Sequence, residues 1–272
     1  MDKFKRFLVY FLLILGAVMM AFPFVWMFVS SLKTPAEVNA TPPTFWPKQL
    51  MFENYKYAFE AAPFLTYFQN SIIVMVSSVS VTMFTTILAA FAFSRLKFPG
   101  RDLAFSLSVA MMMVPFEMLV ITNFTTIVDL GLVDTLIALI VPFTTSVFYT
   151  YILRNFFLSI PDSLYYSARV DGANNWRYLW RIMVPIAKPA LVTIGLLNAI
   201  ASWNSFLWPL IATNSTKTRT LPFGLYAFMT SSGIRNERLM AASTIVVAPM
   251  ILIFIIFRKY IVAGVSRGGL KG

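Results

Sequence analysis

Six stretches of about twenty apolar residues run through the sequence, each long enough to cross the hydrocarbon core of a bilayer. They lie near Phe7–Val29, Ser71–Phe93, Leu103–Ile121, Leu136–Leu153, Ala190–Ile211 and Leu239–Phe257. Only 12% of the residues are charged, about half the share in a soluble domain. The 27 Phe and 15 Met are spread along the whole length, so the apolar excess is neither one anchor nor one buried strand. The expected fold is all-α: a polytopic membrane protein of six helices forming one transmembrane domain over residues 1–272.

Several chemistries are excluded at once. Cysteine and histidine are both absent, which removes Cys/His metal sites, thiol nucleophiles, Ser-His-Asp triads and disulfides. No catalytic or metal-ligating residue is expected. No Gly-x-x-x-x-Gly-Lys-Ser/Thr stretch exists to cradle nucleotide phosphates, so any ATP would be bound by another polypeptide. The net charge of +11 reads as orientation charge flanking apolar segments rather than as a nucleic-acid surface.

The positives set the orientation. With the N-terminus inside, fifteen of the 22 Lys and Arg collect on one side, among them Lys3, Lys5, Arg6, Arg95, Arg154 and Arg181. Seven fall on the other: Lys33, Lys48, Lys56, Lys217, Arg219, Arg235 and Arg238. Both termini are therefore expected on the cytoplasmic side. The first span follows a basic start, as a signal peptide does. It is longer than a cleavable apolar region and runs into Pro23, Phe24 and Trp26, so it is expected to be retained.

Three connecting segments carry information. Residues 31–70, with Pro35, Pro42, Pro43, Pro47, Trp46 and Glu53-Asn54-Tyr55, are expected to form an ordered extracytoplasmic cap, and 213–238 a second outer segment. Residues 155–188 lie inside and read as helix, turn, helix. Pro161 suits a first helical position, Gly172 a left-handed end to the first helix, and Asn174 or Asn175 a cap on the second. Pro185 is expected to stop that second helix. With Leu164, Val170, Trp176, Leu179, Trp180 and Ile182, the segment is too apolar for an idle loop and too short to bury its own core. It must dock, either on its own bundle or on another protein.

Its motif is Ala168-x-x-Asp171-Gly172-Ala173 followed by Ile182-x-x-Pro185-x-x-x-Pro189, which resembles the EAA loop of ABC importer permeases. The family's opening Glu-Ala is Tyr166-Ser167 here, a departure confined to docking contacts. The resemblance extends to Ser31-Leu32-Lys33-Thr34, Glu53-Asn54-Tyr55, Trp203-Asn204-Ser-Phe-Leu-Trp208-Pro209 and the tail Gly264-Val-Ser-Arg267-Gly268-Gly269-Leu-Lys271-Gly272. These are similar to carbohydrate-uptake permeases such as the second membrane subunit of the maltose system. The resemblance implies a type I importer permease fold in the cytoplasmic membrane of a bacterium. It also implies a homologous permease as partner, an ATPase dimer, an extracytoplasmic solute-binding protein and a sugar as solute. Residues 160–189 would couple to the ATPase through Tyr166, Ser167, Ala168, Asp171, Gly172, Ala173, Ile182 and Pro185. The tail 258–272, with Gly268, Gly269 and Lys271, would run along the ATPase.

Solute-contact candidates come from the spans. Glu117 lies in the third span two residues after Pro115, where an ionisable group is costly unless used. It either meets solute or a partner, or serves backbone freed by Pro115. Gly195, Asn198, Ser202, Ser205 and Pro209 share one helical face, as either a packing seam or a pathway lining. Trp203 and Asn204 lie off that face and have the chemistry to stack on and bond a pyranose. The hydroxyls Ser71, Ser78, Thr82 and Thr85 are expected to bond their own helix or a neighbour. An ion-driven carrier would need discontinuous helices and intramembrane charge, for which only Glu117 is available, and a membrane scaffold or sensor would have no use for a structured cytoplasmic loop.

Overall fold

A computed structural model describes residues 3–230 and 235–268. The elements are helical, with no strand among the described residues. In chain order they are α1 (Lys3–Ser31), α2 (Glu53–Ala61), α3 (Phe64–Arg95), α4 (Arg101–Met111), α5 (Phe116–Asp129) and α6 (Leu136–Ile140, extended by a 3-10 turn Val141–Phe143). There follow α7 (Val147–Leu158), α8 (Asp162–Val170), α9 (Asn175–Ile186), α10 (Lys188–Trp203), α11 (Leu207–Ala212), α12 (Phe223–Thr230) and α13 (Asn236–Gly268).

α1, α3 and α13 are each long and apolar enough to cross a membrane. Three further helix pairs qualify jointly, each bent: α4 with α5 by 99°, α6 and its 3-10 turn with α7 by 47°, and α9 with α10 by 79°. Counting each pair as one span gives six, although the third pair begins at Asn175, inside the segment expected to be a loop, and not at Ala190.

Three spans expected to be continuous are broken. Leu103–Ile121 is interrupted at Pro115, which lacks an amide and holds extended backbone at ψ 144, displacing the residue before it from helical geometry. Leu136–Leu153 breaks over Thr144–Ser146, and Ser146 caps α7 by accepting the Tyr149 amide at 3.3 Å. Ala190–Ile211 ends its first helix at Trp203 and resumes at Leu207. Proline at 209 leaves the Ser205 carbonyl without an amide four residues on. The last helix continues to Gly268, past the expected span end near Phe257; no proline intervenes, and Arg258 and Lys259 are good helix formers.

The chain packs as two compact units: Met1–Leu65 with Leu221–Ile251, and Thr66–Thr220 with Leu252–Gly272. In the first, side-chain bonds tie segment 31–61 together. The carboxamide of Asn54 donates to the carbonyls of Ser31 and Lys33 at 2.9 and 3.0 Å, and the Tyr55 and Ser31 hydroxyls lie 2.6 Å apart. Asn54 thus serves carbonyls left open where α1 ends. Thr34 and Glu37 form a capping box on the one-turn helix Pro35–Val38, and Glu37 also accepts the Lys48 amide at 2.8 Å. The Thr34 and Lys48 amides hold the Glu37 carboxyl below its ordinary pKa. Lys33 is buried, donating to the Thr44 carbonyl, with its ammonium 4.3 Å from the centre of the Trp26 ring. Burial lowers its pKa, with Glu37 pulling the other way.

In the second unit, helix breaks are served by side chains from α3. Thr82 donates to the Phe143 carbonyl at 2.5 Å and Thr85 to the Thr144 carbonyl at 2.7 Å, meeting acceptors freed between α6 and α7. One core gathers Ile87, Phe91, Leu153, Phe157, Tyr178, Leu179 and Met183. A second gathers Val74, Ile127, Leu139 and Trp208, where the Trp208 indole donates to the Ala138 carbonyl at 2.9 Å.

The segment after α11 is held by Asp134. Its carboxylate accepts the Asn214 amide at 2.9 Å, the Ser215 amide at 3.0 Å and the Thr218 hydroxyl. These bonds, the Ser215 amide foremost, hold the carboxyl well below the usual carboxylate range. A depressed folded-state value stabilises fully above the unfolded pKa of about 3.9 and is lost as pH falls through the folded value. Asp134→Asn is expected to remove that acid-dependent part and to cost about 1 kcal/mol at neutral pH, given partial solvation. Hydrogen exchange at the Asn214 and Ser215 amides, followed against pH, checks both.

Candidate functional site

The loop between α7 and α10 is built from local signals. Pro161 stands just before α8, at the cap position rather than the first helical one. Gly172 adopts φ +77. The Ala173 amide reaches the Ala168 carbonyl at 2.9 Å and the Gly172 amide the Arg169 carbonyl at 3.1 Å. This is the paired closure that a left-handed residue permits at a helix end. A Cβ at Gly172 would meet nothing within 4 Å, so the requirement for glycine is conformational. Asn174 caps α9 by accepting the Arg177 amide at 2.8 Å.

Pro185 does not stop α9, which runs on to Ile186 and bends at Ala187. A π turn over Leu179–Met183 precedes the proline, and the Val184 amide bonds the Leu179 carbonyl five residues back. This wider turn carries the helix through a residue with no amide of its own.

The loop has two faces. Inward, Ala168, Tyr178, Leu179 and Met183 are buried against Phe91, Leu153 and Phe157, and the Tyr165 hydroxyl meets the Asn175 carboxamide oxygen at 3.1 Å. Outward, Val170 is 87% exposed, Tyr166 60%, Trp176 58% and Leu164 42%. Ser167, Asp171, Gly172 and Pro185 are exposed as well, while Ala173 and Ile182 are half-buried. The loop therefore docks on its own bundle and still presents apolar side chains on its far side. Gly268 ends α13; Gly269 and Lys271 lie outside the described residues.

The solute candidates separate. Asn198, Ser202, Ser205 and Pro209 line a cavity of about 110 Å³, together with Val74, Ser78, Leu139, Phe143, Ala201, Trp208 and Thr220. The stripe's face persists across the break between α10 and α11. Its fifth member, Gly195, instead packs against Met83, whose methyl would lie 3.3 Å from an added Cβ. Ser78 and Thr220 are 2% and 4% exposed, and their hydroxyl oxygens have no hydrogen-bond partner. Both hydroxyl oxygens are themselves enclosed, so they stand as unmet polar groups within the cavity's wall, where each costs roughly 1–3 kcal/mol when dry. None of its lining side chains is charged.

The other candidates lie elsewhere. Trp203 is buried, edge-on to Phe68 with centroids 5.9 Å apart, and Asn204 is an exposed C-cap. Glu117 is exposed in the first turn of α5, where a carboxylate suits the positive helix end. Sequence reasoning misses Ser78 and Thr220 as cavity residues. Ser78 reads as one more span-two hydroxyl, and Thr220 sits in a segment with no helical period.

The chain is similar to known transport proteins over nearly all its length. It is 32% identical over 254 residues to the arabinooligosaccharides transport system permease protein AraQ of Halalkalibacterium halodurans, covering 92% of this chain and 91% of that one. It is 31% identical over 261 residues to the diacetylchitobiose uptake system permease protein NgcG of Streptomyces coelicolor, covering 94% and 86%. Among solved structures, it superposes with a TM-score of 0.82 at 27% identity on a chain of a bacterial ABC transporter involved in the import of the acidic polysaccharide alginate, covering 95% and 97%. The fold recurs at TM-score 0.64 and 15% identity in an alginate ABC transporter in complex with a pentasaccharide-bound periplasmic protein. The family of binding-protein-dependent transport system inner membrane components matches residues 82–267. On these grounds the chain belongs to that family.

Proposed function

We propose that the chain is the membrane-spanning subunit of an ATP-driven oligosaccharide importer in a bacterial cytoplasmic membrane, with both termini cytoplasmic. It forms half of a translocation pathway completed by a homologous permease. The observation that carries the reading is the two-faced α8–α9 loop: buried on its own bundle inward, apolar and exposed outward at Tyr166, Val170 and Trp176. Exposed apolar side chains rigidly mounted beside a bundle mark a protein interface, and the partner of matching role is an ATPase subunit. Closure of an ATPase dimer on ATP would grip the loop differently in two states and so shift the bundle between them. An extracytoplasmic binding protein would deliver solute onto the caps 31–70 and 213–238. The tail, with Gly268, Gly269 and Lys271, is assigned to the same ATPase side.

Sugar as the solute class draws on AraQ, NgcG and the alginate transporter. The uncharged cavity, offering hydroxyls and the Asn198 carboxamide, suits the hydroxyls of a sugar. At about 110 Å³ it is well below the roughly 300–1,000 Å³ of a pocket for a whole small molecule. It admits a hydroxymethyl group or a few waters, so the rest of the pathway wall belongs to the partner permease. Asn198 and Ser202 are the pathway candidates this supports. Trp203, Asn204 and Glu117 are assigned to packing, capping and the α5 dipole.

Tagged chain purified in mild detergent is expected to bring down a second permease and an ATPase, identified by mass spectrometry. Gly172→Pro cannot adopt φ +77 and removes the Gly172 amide; it is expected to lose the ATPase and keep the permease. Wild-type chain arriving with no ATPase would remove the importer reading. Ser78→Ala and Thr220→Val break no bond within the chain, so neither is expected to destabilise it. Each is expected to slow uptake of labelled arabino- or chito-oligosaccharide roughly fivefold. Unchanged uptake in both would place the sugar elsewhere.

A further inference from the structure

Arg95 and Arg154 count as cytoplasmic orientation charges in the sequence, yet both guanidinium groups are turned into the bundle. Arg95 closes α3, and its side chain is 6% exposed. It donates to the Phe157 carbonyl at 2.8 Å, to the Ile160 carbonyl at 2.5 Å and to the Asp162 carboxylate. Arg154, in the penultimate turn of α7, donates to the Phe93 carbonyl at 3.1 Å and lies 4.0 Å over the Phe105 ring. The last carbonyls of a helix have no partner of their own, and a cation there also answers the negative end of the dipole. Here α3 and α7 each supply the arginine that caps the other. Arg95 reaches further, since Phe157, Ile160 and Asp162 span the end of α7, the connecting turn and the first turn of α8. A planar fork with five donors can hold three such acceptors at once; an ammonium cannot hold them in the same geometry.

We propose that Arg95 is a positioning residue that fastens α8 to α3 and α7, so that the coupling helix and the cytoplasmic ends of spans two and four move as one body. This rests on the reading of α8 as the helix that meets the ATPase. The weight falls on the two carbonyl bonds. Asp162 is 73% exposed, and an ion pair that open to water contributes little.

The chain has no cysteine, so nitroxide labels on Val76→Cys and Ser163→Cys occupy only those positions within it. Both sites are exposed, and Val76 stands about 28 Å along α3 from Arg95, a span suited to pulsed electron resonance. In the complex with its ATPase, the wild-type distance distribution is expected to be narrow and unchanged between the nucleotide-free and ATP–vanadate states. Arg95→Gln is expected to broaden it or add a second population, Arg95→Lys to restore it in part, and Asp162→Asn to leave it near wild type. The proposal is overturned if Arg95→Gln stays as narrow as wild type, or if the wild-type distance itself changes on trapping. Should no ATPase accompany the wild-type chain, the coupling-helix reading fails instead, and the nucleotide-free distances in the permease alone still decide whether Arg95 holds α8.

Discussion

Within a bilayer there is no water to receive a backbone carbonyl that a helix has released, and this chain releases many. Its spans break at Pro115, over Thr144–Ser146 and over Asn204–Phe206, and the chain bends at Ala187 where the loop meets α10. What makes such a bundle possible is that a side chain from another helix or loop meets many of the freed groups. Thr82 and Thr85 of α3 serve the break between α6 and α7, and Asn54 serves the end of α1. Arg95 and Arg154 serve each other's helix ends. Thr82 and Thr85 therefore show one use of polar residues inside the spans: from an unbroken helix they make irregular backbone in a neighbour tolerable.

This explains what could be read in advance and what could not. The caps of the cytoplasmic loop are legible because each depends on residues within about five positions: Gly172 with Ala168 and Arg169, Asn174 with Arg177. The six spans are legible because hydropathy averages over a window. The same averaging hides short breaks such as Thr144–Ser146, whose flanks are as apolar as any helix. Pro185 misleads because its effect depends on the preceding π turn, which has no composition of its own.

The polar site shows the same division. The periodicity of Asn198, Ser202, Ser205 and Pro209 identifies a face but not what it faces. The cavity exists because α11 resumes on the same side after a break, and because Ser78 and Thr220 are brought to Asn198 from distant parts of the chain. No local pattern connects those three positions. Glu117 draws attention as an intramembrane charge only if the third span is continuous; once Pro115 starts a new helix, it is a first-turn carboxylate in an ordinary setting.

α1 stands apart from these arrangements. Of its 29 residues only Val29, Ser30 and Ser31 are buried, so its own backbone hydrogen bonds and the surrounding hydrocarbon keep it helical, with little help from the rest of the chain. Such a segment can enter the membrane before the segments that follow it have been synthesised. Its hydrogen-bonded attachment, through Ser31 to Asn54 and Tyr55, forms only after the cap has followed. This helix can therefore insert unaided and be secured later through Ser31, Asn54 and Tyr55.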